Sequence, residues 1–168
     1  GLDAAQVGLV VSVGPVVAAL GGMPAGRLAD RFGARPASIA GLTGMTVGTV
    51  LLAALPAASG VAGYVVPIAI LTASYALFQT ANNTAAMTAV GAERRGAMSG
   101  MLNLSRNLGL VTGASVMGAV FAAAVGVADI AGATPEAVAA GMQRTFGVAA
   151  GLVLVAVAVA ARARGGRA

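Results

Sequence analysis

The chain has 168 residues, of which 58% are hydrophobic and only 9% charged. Soluble domains run nearer 45 to 50% apolar, so the chain reads as an all-α integral membrane protein. It has no cysteine and no histidine, which excludes disulfides, thiolate metal sites and hydrolytic triads that use histidine. Paired carboxylates and a phosphate-cradling Gly-Lys-Ser/Thr loop are also missing, so neither enzymatic activity nor a cofactor or metal is expected.

A helix crossing roughly 30 Å of hydrocarbon needs about 20 mostly apolar residues. Gly1 to Val10 carries no initiator methionine, basic n-region or cleavage site, so it is not a signal peptide, and the chain is expected to begin inside a longer protein. The uncharged interval from Asp3 to Arg27 predicts a first span near residues 4–26. The next interval, Arg35 to Glu93, is far too long for one helix. Pro56, Ser59 and the glycines of Leu55 to Gly63 break it by turn chemistry, giving spans near 37–55 and 63–90. A run interrupted only by Arg106 predicts a span near 97–126, and a last one lies near 142–161. Between these two, Ala133 to Val138 reads as a helix start with Thr134 as cap and Pro135 in the first turn, so this connection is expected to be partly helical. Residues 1–163 thus form one bundle of about five helices, and 164–168 a tail.

All ten basic residues are arginines, and eight of them fall in alternate connections. Arg27, Arg31 and Arg35 follow the first span, Arg94 and Arg95 the third, and Arg162, Arg164 and Arg167 the fifth. The connection after the second span is uncharged, and the one after the fourth carries Asp129 and Glu136 before Arg144. By the positive-inside rule the N-terminus is outside and the tail cytoplasmic. The net charge of +5 therefore reports topology, and no nucleic-acid partner is expected.

The first connection, "GRLADRFGARP", holds charges that a topology anchor alone does not need. Gly33 is expected at a left-handed cap position, which glycine adopts without a side-chain clash. Pro36 is expected to open the next helix, where its fixed φ fits. Asp30, three residues after Arg27 and next to Arg31, is placed among guanidinium groups, and its presence suggests a bonding role.

On the third span, Tyr75, Phe78, Gln79 and Asn82 fall at i, i+3, i+4 and i+7, a stripe mixing aromatic and amide groups. Amides are costly against lipid, so this face is expected either to line an internal cavity or to bond a neighbouring helix. Ser99, Asn103, Arg106 and Asn107 repeat the arrangement on the fourth span. Arg106 would sit about 15 Å along that helix from Gly96, too deep to snorkel, and is expected to make an interior contact with the amides or carbonyls of a facing helix. Gly22 with Gly26, Gly44 with Gly48, Gly109 with Gly113, and Gly147 with Gly151 are spaced for close helix packing.

Gly26, Leu28, Ala29, Asp30, Arg31, Gly33 and Arg35 resemble the signature loop of the major facilitator superfamily, Gly-x-Leu-Ala/Val-Asp-Arg/Lys-x-Gly-Arg/Lys-Arg/Lys; Ala34 departs from it, where the family usually has a base. Asn82 to Phe121 is similar to the penultimate part of the fourteen-span drug:proton antiporter branch. There Arg95, Gly96, Ser99 and Gly100 match a turn, and Arg106, Gly109 and Gly113 the following helix.

The resemblance implies the C-terminal half of a secondary transporter from just before its second helix, in a bacterial inner membrane. Its remaining partners would be the N-terminal half, the lipid bilayer, a small amphipathic substrate and a coupling proton. It also implies that the loop gates alternating access, its Asp docking on a helix start in the other half, with Gly26, Asp30, Arg31, Gly33 and Arg35 as gating residues. Tyr75, Phe78, Gln79, Asn82, Asn103, Arg106 and Asn107 are the candidate cavity lining. No Asp or Glu falls inside a span, so a coupling carboxylate would lie elsewhere in the transporter. A permease for one metabolite, and a non-transporting scaffold or gene remnant, are the other readings.

Overall fold

A computed structural model describes residues 3–56, 59–126 and 132–162. It consists of five long helices: α1 Ala4–Phe32, α2 Ala34–Ala53, α3 Gly60–Thr88, α4 Arg95–Val125 and α5 Pro135–Arg162. All five are long and apolar enough to cross a membrane. The expected tail, 164–168, and Asp129 lie outside the described residues.

Asp3 starts α1 with a capping box. Its carboxylate accepts from Gln6 N at 2.7 Å, and the Gln6 side chain accepts from Asp3 N at 3.1 Å, which satisfies two donors that a helix start leaves free. The helix continues through Pro15 and Pro24 and ends at Phe32, beyond the expected limit of 26. Arg27, Asp30 and Arg31 are therefore helical residues in its last turns.

Gly33 alone separates α1 from α2, and it departs from the expected left-handed cap. Its φ is positive, at 88°, but ψ is 151°, an extended conformation open essentially to glycine only. A left-handed cap needs further residues to close its hydrogen bonds. Here Ala34 already begins α2, and the Gly33 carbonyl accepts its first bond from Ala37 N at 3.3 Å. α2 thus begins three positions before the expected 37. Pro36 is its third residue rather than its first, which costs nothing because the first N–H groups of a helix have no intrahelical acceptor.

The other connections follow from local chemistry. α2 closes at Ala54, and Gly60, at φ 62°, opens α3 after a turn in which Ser59 N bonds Pro56 O at 3.0 Å. A single 3-10 turn, Ala92–Arg94, leads into α4. α4 ends on Gly126, which adopts the left-handed conformation (φ 73°, ψ 14°) and bonds Ala122 O at 3.1 Å. Thr134 caps α5 through Ala137 N at 3.3 Å. From there the helix runs unbroken to Arg162, so its start at 142 is corrected to Pro135. Gly141 does not interrupt it, because it is buried against Phe121 and Val125 of α4.

The core is small-residue packing. Ala29 of α1, Ala37 of α2 and Ala81 of α3 meet at 3%, 4% and 0% exposure with Leu77 beside them, whereas Leu9 and Leu20 are each 72% exposed. In lipid no hydrophobic force drives large side chains inward, and close approach of small residues holds helices together. α2 and α3 form the closest pair. A β-carbon added at Gly41 would lie 2.6 Å from the Phe78 backbone nitrogen, one at Gly48 2.9 Å from Leu71 Cβ, and Gly44 faces Ser74. α1 packs on α3, α5 packs on α2 and α4, and α3 and α4 touch only lightly. A β-carbon added at Gly22, Gly26, Gly109, Gly113, Gly147 or Gly151 would meet nothing from another helix within 4 Å, so among the expected glycine pairs only Gly44 with Gly48 packs closely on a neighbouring helix among the described residues.

Candidate functional site

The up-and-down path gathers charge at one end of the bundle. Arg27, Arg31 and Arg35 at the α1–α2 hairpin, Arg94 and Arg95 at the start of α4, and Arg162 at the end of α5 share it, whereas Asp3, Glu136 and Arg144 belong to the opposite end. At the hairpin Ala29 and Ala37 are buried, which fixes the backbone, while Asp30, Arg27, Arg31 and Arg35 are exposed. The Arg31 guanidinium lies 5.4 Å from the centre of the Phe32 ring, a cation–π contact. Arg31 is thus turned onto an aromatic ring, and the Asp30 carboxylate stays open. Gly26, one turn before Asp30, has nothing within 4 Å of where a β-carbon would stand, so α1 presents a flat, close-approach surface beside the acid.

A second feature lies where α3 and α4 diverge. A cleft of about 390 Å³ opens between them, lined by Tyr75, Phe78, Gln79, Asn82 and Asn83 of α3 and by Leu102, Ser105, Arg106, Gly109 and Leu110 of α4. With the Gln79 amide turned so that its acceptor meets donors, its carbonyl oxygen accepts from Arg106 Nε at 3.0 Å and Nη2 at 2.8 Å. A guanidinium within the apolar depth must find partners, and the amide on the facing helix is one.

The whole aromatic and amide stripe of α3 therefore faces the cleft. On α4 only Arg106 of the three candidates does. Asn103 and Asn107 are absent from its lining, because they stand about 90° and about 130° around the helix from the middle of the sector formed by 102, 105, 106, 109 and 110. Asn83, Leu102, Ser105, Gly109 and Leu110 were missed. The α4 members 102, 105, 106, 109 and 110 carry a helical i, i+3, i+4, i+7 spacing that could have found them, but polarity drew attention to the wrong side of Arg106.

Size and chemistry point to different places. A larger cavity of about 880 Å³ lies at the opposite end of the bundle, lined by Leu52, Leu55, Tyr64, Val138 and Met142 among others. There Gln143 Nε2 donates to Leu55 O at 2.8 Å, tying α5 to the residues just after α2. A few convergent polar groups that fix a ligand's orientation are what a binding site needs besides volume, and Gln79, Asn82, Asn83, Ser105 and Arg106 supply them in the α3–α4 cleft. Among the described residues no group of three or more His, Cys, Asp or Glu side chains could hold a metal.

Comparison with known proteins agrees with this architecture. Over 152 residues, 89% of this chain and 30% of the relative, the chain is 29% identical to the multidrug efflux pump LfrA of Mycolicibacterium smegmatis. It is 32% identical over 117 residues, 70% of the chain and 26% of the relative, to the uncharacterized transporter YebQ of Escherichia coli. With the multidrug resistance protein Stp of Mycobacterium tuberculosis it shares 38% identity over 98 residues, 58% of the chain and 18% of the relative. The chain thus spans less than a third of the length of these curated relatives. No solved structure matches. The family model of the Major Facilitator Superfamily matches residues 1–167, and with its five apolar helices and its Asp30 hairpin the chain belongs to that superfamily of membrane transporters.

Proposed function

We propose that the chain supplies most of the C-terminal half of a proton-coupled multidrug efflux transporter that works by alternating access, in a bacterial inner membrane with the arginine-rich end cytoplasmic. The observation that carries the reading is the α1–α2 hairpin, in which a buried alanine pair fixes the turn while Asp30 is left exposed. A carboxylate held rigidly but unused within its own bundle is suited to meet the free N–H groups and positive dipole of a helix start in another. Gly26, Arg31, Gly33 and Arg35 shape and hold that latch, and the start of α4 at Gly96 to Ser99 receives its counterpart from the N-terminal half. Efflux of amphipathic, mostly apolar compounds draws support from the aromatic and amide lining of the cleft and from relatives named as multidrug proteins.

Proton coupling requires a titratable group reachable from the membrane interior, and none of the residues of the α3–α4 cleft is acidic. The coupling carboxylate therefore belongs to the remainder of the transporter, and the chain alone does not transport. Extrusion of several unrelated apolar dyes from cells expressing the transporter, abolished by a protonophore, is the expected result. Extrusion or uptake confined to a single polar metabolite would favour a dedicated permease. This chain has no cysteine, so in the transporter freed of any cysteine outside it a single Ala34→Cys change should react with an impermeant maleimide only from the cytoplasmic side.

A further inference from the structure

The α3–α4 cleft carries one charge among its lining residues, and that charge is positive. A guanidinium offers five N–H donors in a rigid plane and no acceptor. Gln79 takes two of them with a single oxygen, through Nε and Nη2, which fixes the plane of the group and leaves the Nη1 edge unspent. Beside it stand the rings of Tyr75 and Phe78 and the amides of Asn82 and Asn83, while Leu102 and Leu110 supply an apolar wall. Gly109 leaves room, since an added β-carbon there would meet nothing within 4 Å.

Resting on the transport reading above, we propose that this cleft selects amphipathic aryl anions, carboxylates or sulfonates, and disfavours lipophilic cations. The anion takes the free edge of Arg106, and its ring lies against Tyr75 and Phe78. Two oxygens of a carboxylate or a sulfonate can each accept from the guanidinium fork, and a charge-assisted pair of this kind is about twice as strong as one between neutral groups. A cation in the same place would face Arg106 with no carboxylate among the lining residues to offset the repulsion. Gln79 is the positioning residue, because it orients the guanidinium without neutralising it.

The test uses the intact transporter that carries this chain, in lipid nanodiscs, with empty nanodiscs correcting for partition into lipid. Binding of 2-naphthalenesulfonate and of 2-naphthylmethylammonium is measured by equilibrium dialysis. The sulfonate should bind at least about 10-fold tighter than the ammonium, in line with a hydrogen-bonded charge pair. Arg106→Gln should erase that preference and Arg106→Lys should keep part of it, with circular dichroism checking that each variant stays helical. Gly109→Leu keeps the charge and fills the cleft, so it should weaken sulfonate binding by a similar factor. Equal binding of the two probes to the unchanged transporter, or sulfonate affinity unaffected by both Arg106→Gln and Gly109→Leu, would overturn the proposal. Dye extrusion by the intact transporter is scored separately. Extrusion with no anion preference sinks this inference alone, and anion preference with no extrusion sinks the efflux reading alone.

Discussion

Helix α3 is used in opposite ways on its two sides. Toward α2 it is spent, since Leu71, Ser74 and Phe78 meet Gly48, Gly44 and Gly41 so closely that a methyl group does not fit. Toward α4 it is held open, with Tyr75, Gln79 and Asn82 lining a cleft whose far wall is reached by one hydrogen-bonded pair. The packed side contains small residues and little chemistry, and the open side contains the amides, a ring hydroxyl and an arginine. Phe78 joins the two, its backbone wedged on Gly41 and its side chain on the cleft. The seam therefore serves as the rigid back that holds the polar face in place. The hairpin shows the same division on a smaller scale, with Ala29 and Ala37 buried and Asp30 left out.

Substitutions at the seam should have the largest effect on stability. Gly41→Val must displace the Phe78 backbone, which lies within 2.8 Å of even the first added carbon, and should cost about 1–3 kcal/mol by overpacking, read as a lower unfolding midpoint in detergent micelles. If it unfolds like the parent chain, the contrast between the two sides of α3 is broken. Next comes Gln143→Leu, which removes the bond to Leu55 O at 2.8 Å and should cost about 1 kcal/mol; hydrogen exchange near Leu55 should rise with it. Thr134→Ala removes the α5 cap and should cost about 0.5–1 kcal/mol. The smallest change sharpens the comparison from the other direction. Gly118 has nothing within 4 Å, so Gly118→Ala should be neutral or stabilising by up to about 1 kcal/mol, through lower unfolded-chain entropy.

Much of this is legible in the residues. Uncharged intervals locate the helices, because crossing hydrocarbon leaves the chain few alternatives, and Thr134 with Pro135 marks the start of α5 correctly. Helix ends at the charged hairpin are not legible in this way. The count of apolar residues stops at Arg27, whereas the helix continues to Phe32 because nothing between Arg27 and Gly33 breaks it. The stripe of Tyr75, Phe78, Gln79 and Asn82 can be read from spacing alone. Which side of α4 faces it cannot, since Asn103 and Asn107 look as suitable as Arg106 until packing fixes the rotation of the helix. The same holds for glycine. Gly44 and Gly48 pack where Gly109 and Gly113 do not, and only the neighbours distinguish them.

The central claim is that Asp30 is held rigid by its own bundle and reserved for a contact outside it. Asp30→Asn in the transporter that carries this chain tests it most directly, with membrane insertion, thermal unfolding and drug efflux followed on the same samples. Insertion and unfolding should match the parent, because the exposed side chain carries none of the packing. Efflux should fall roughly 10-fold or more, as expected for loss of one hydrogen-bonded charge at a helix start. Undiminished efflux, or a variant that no longer folds, would contradict the claim.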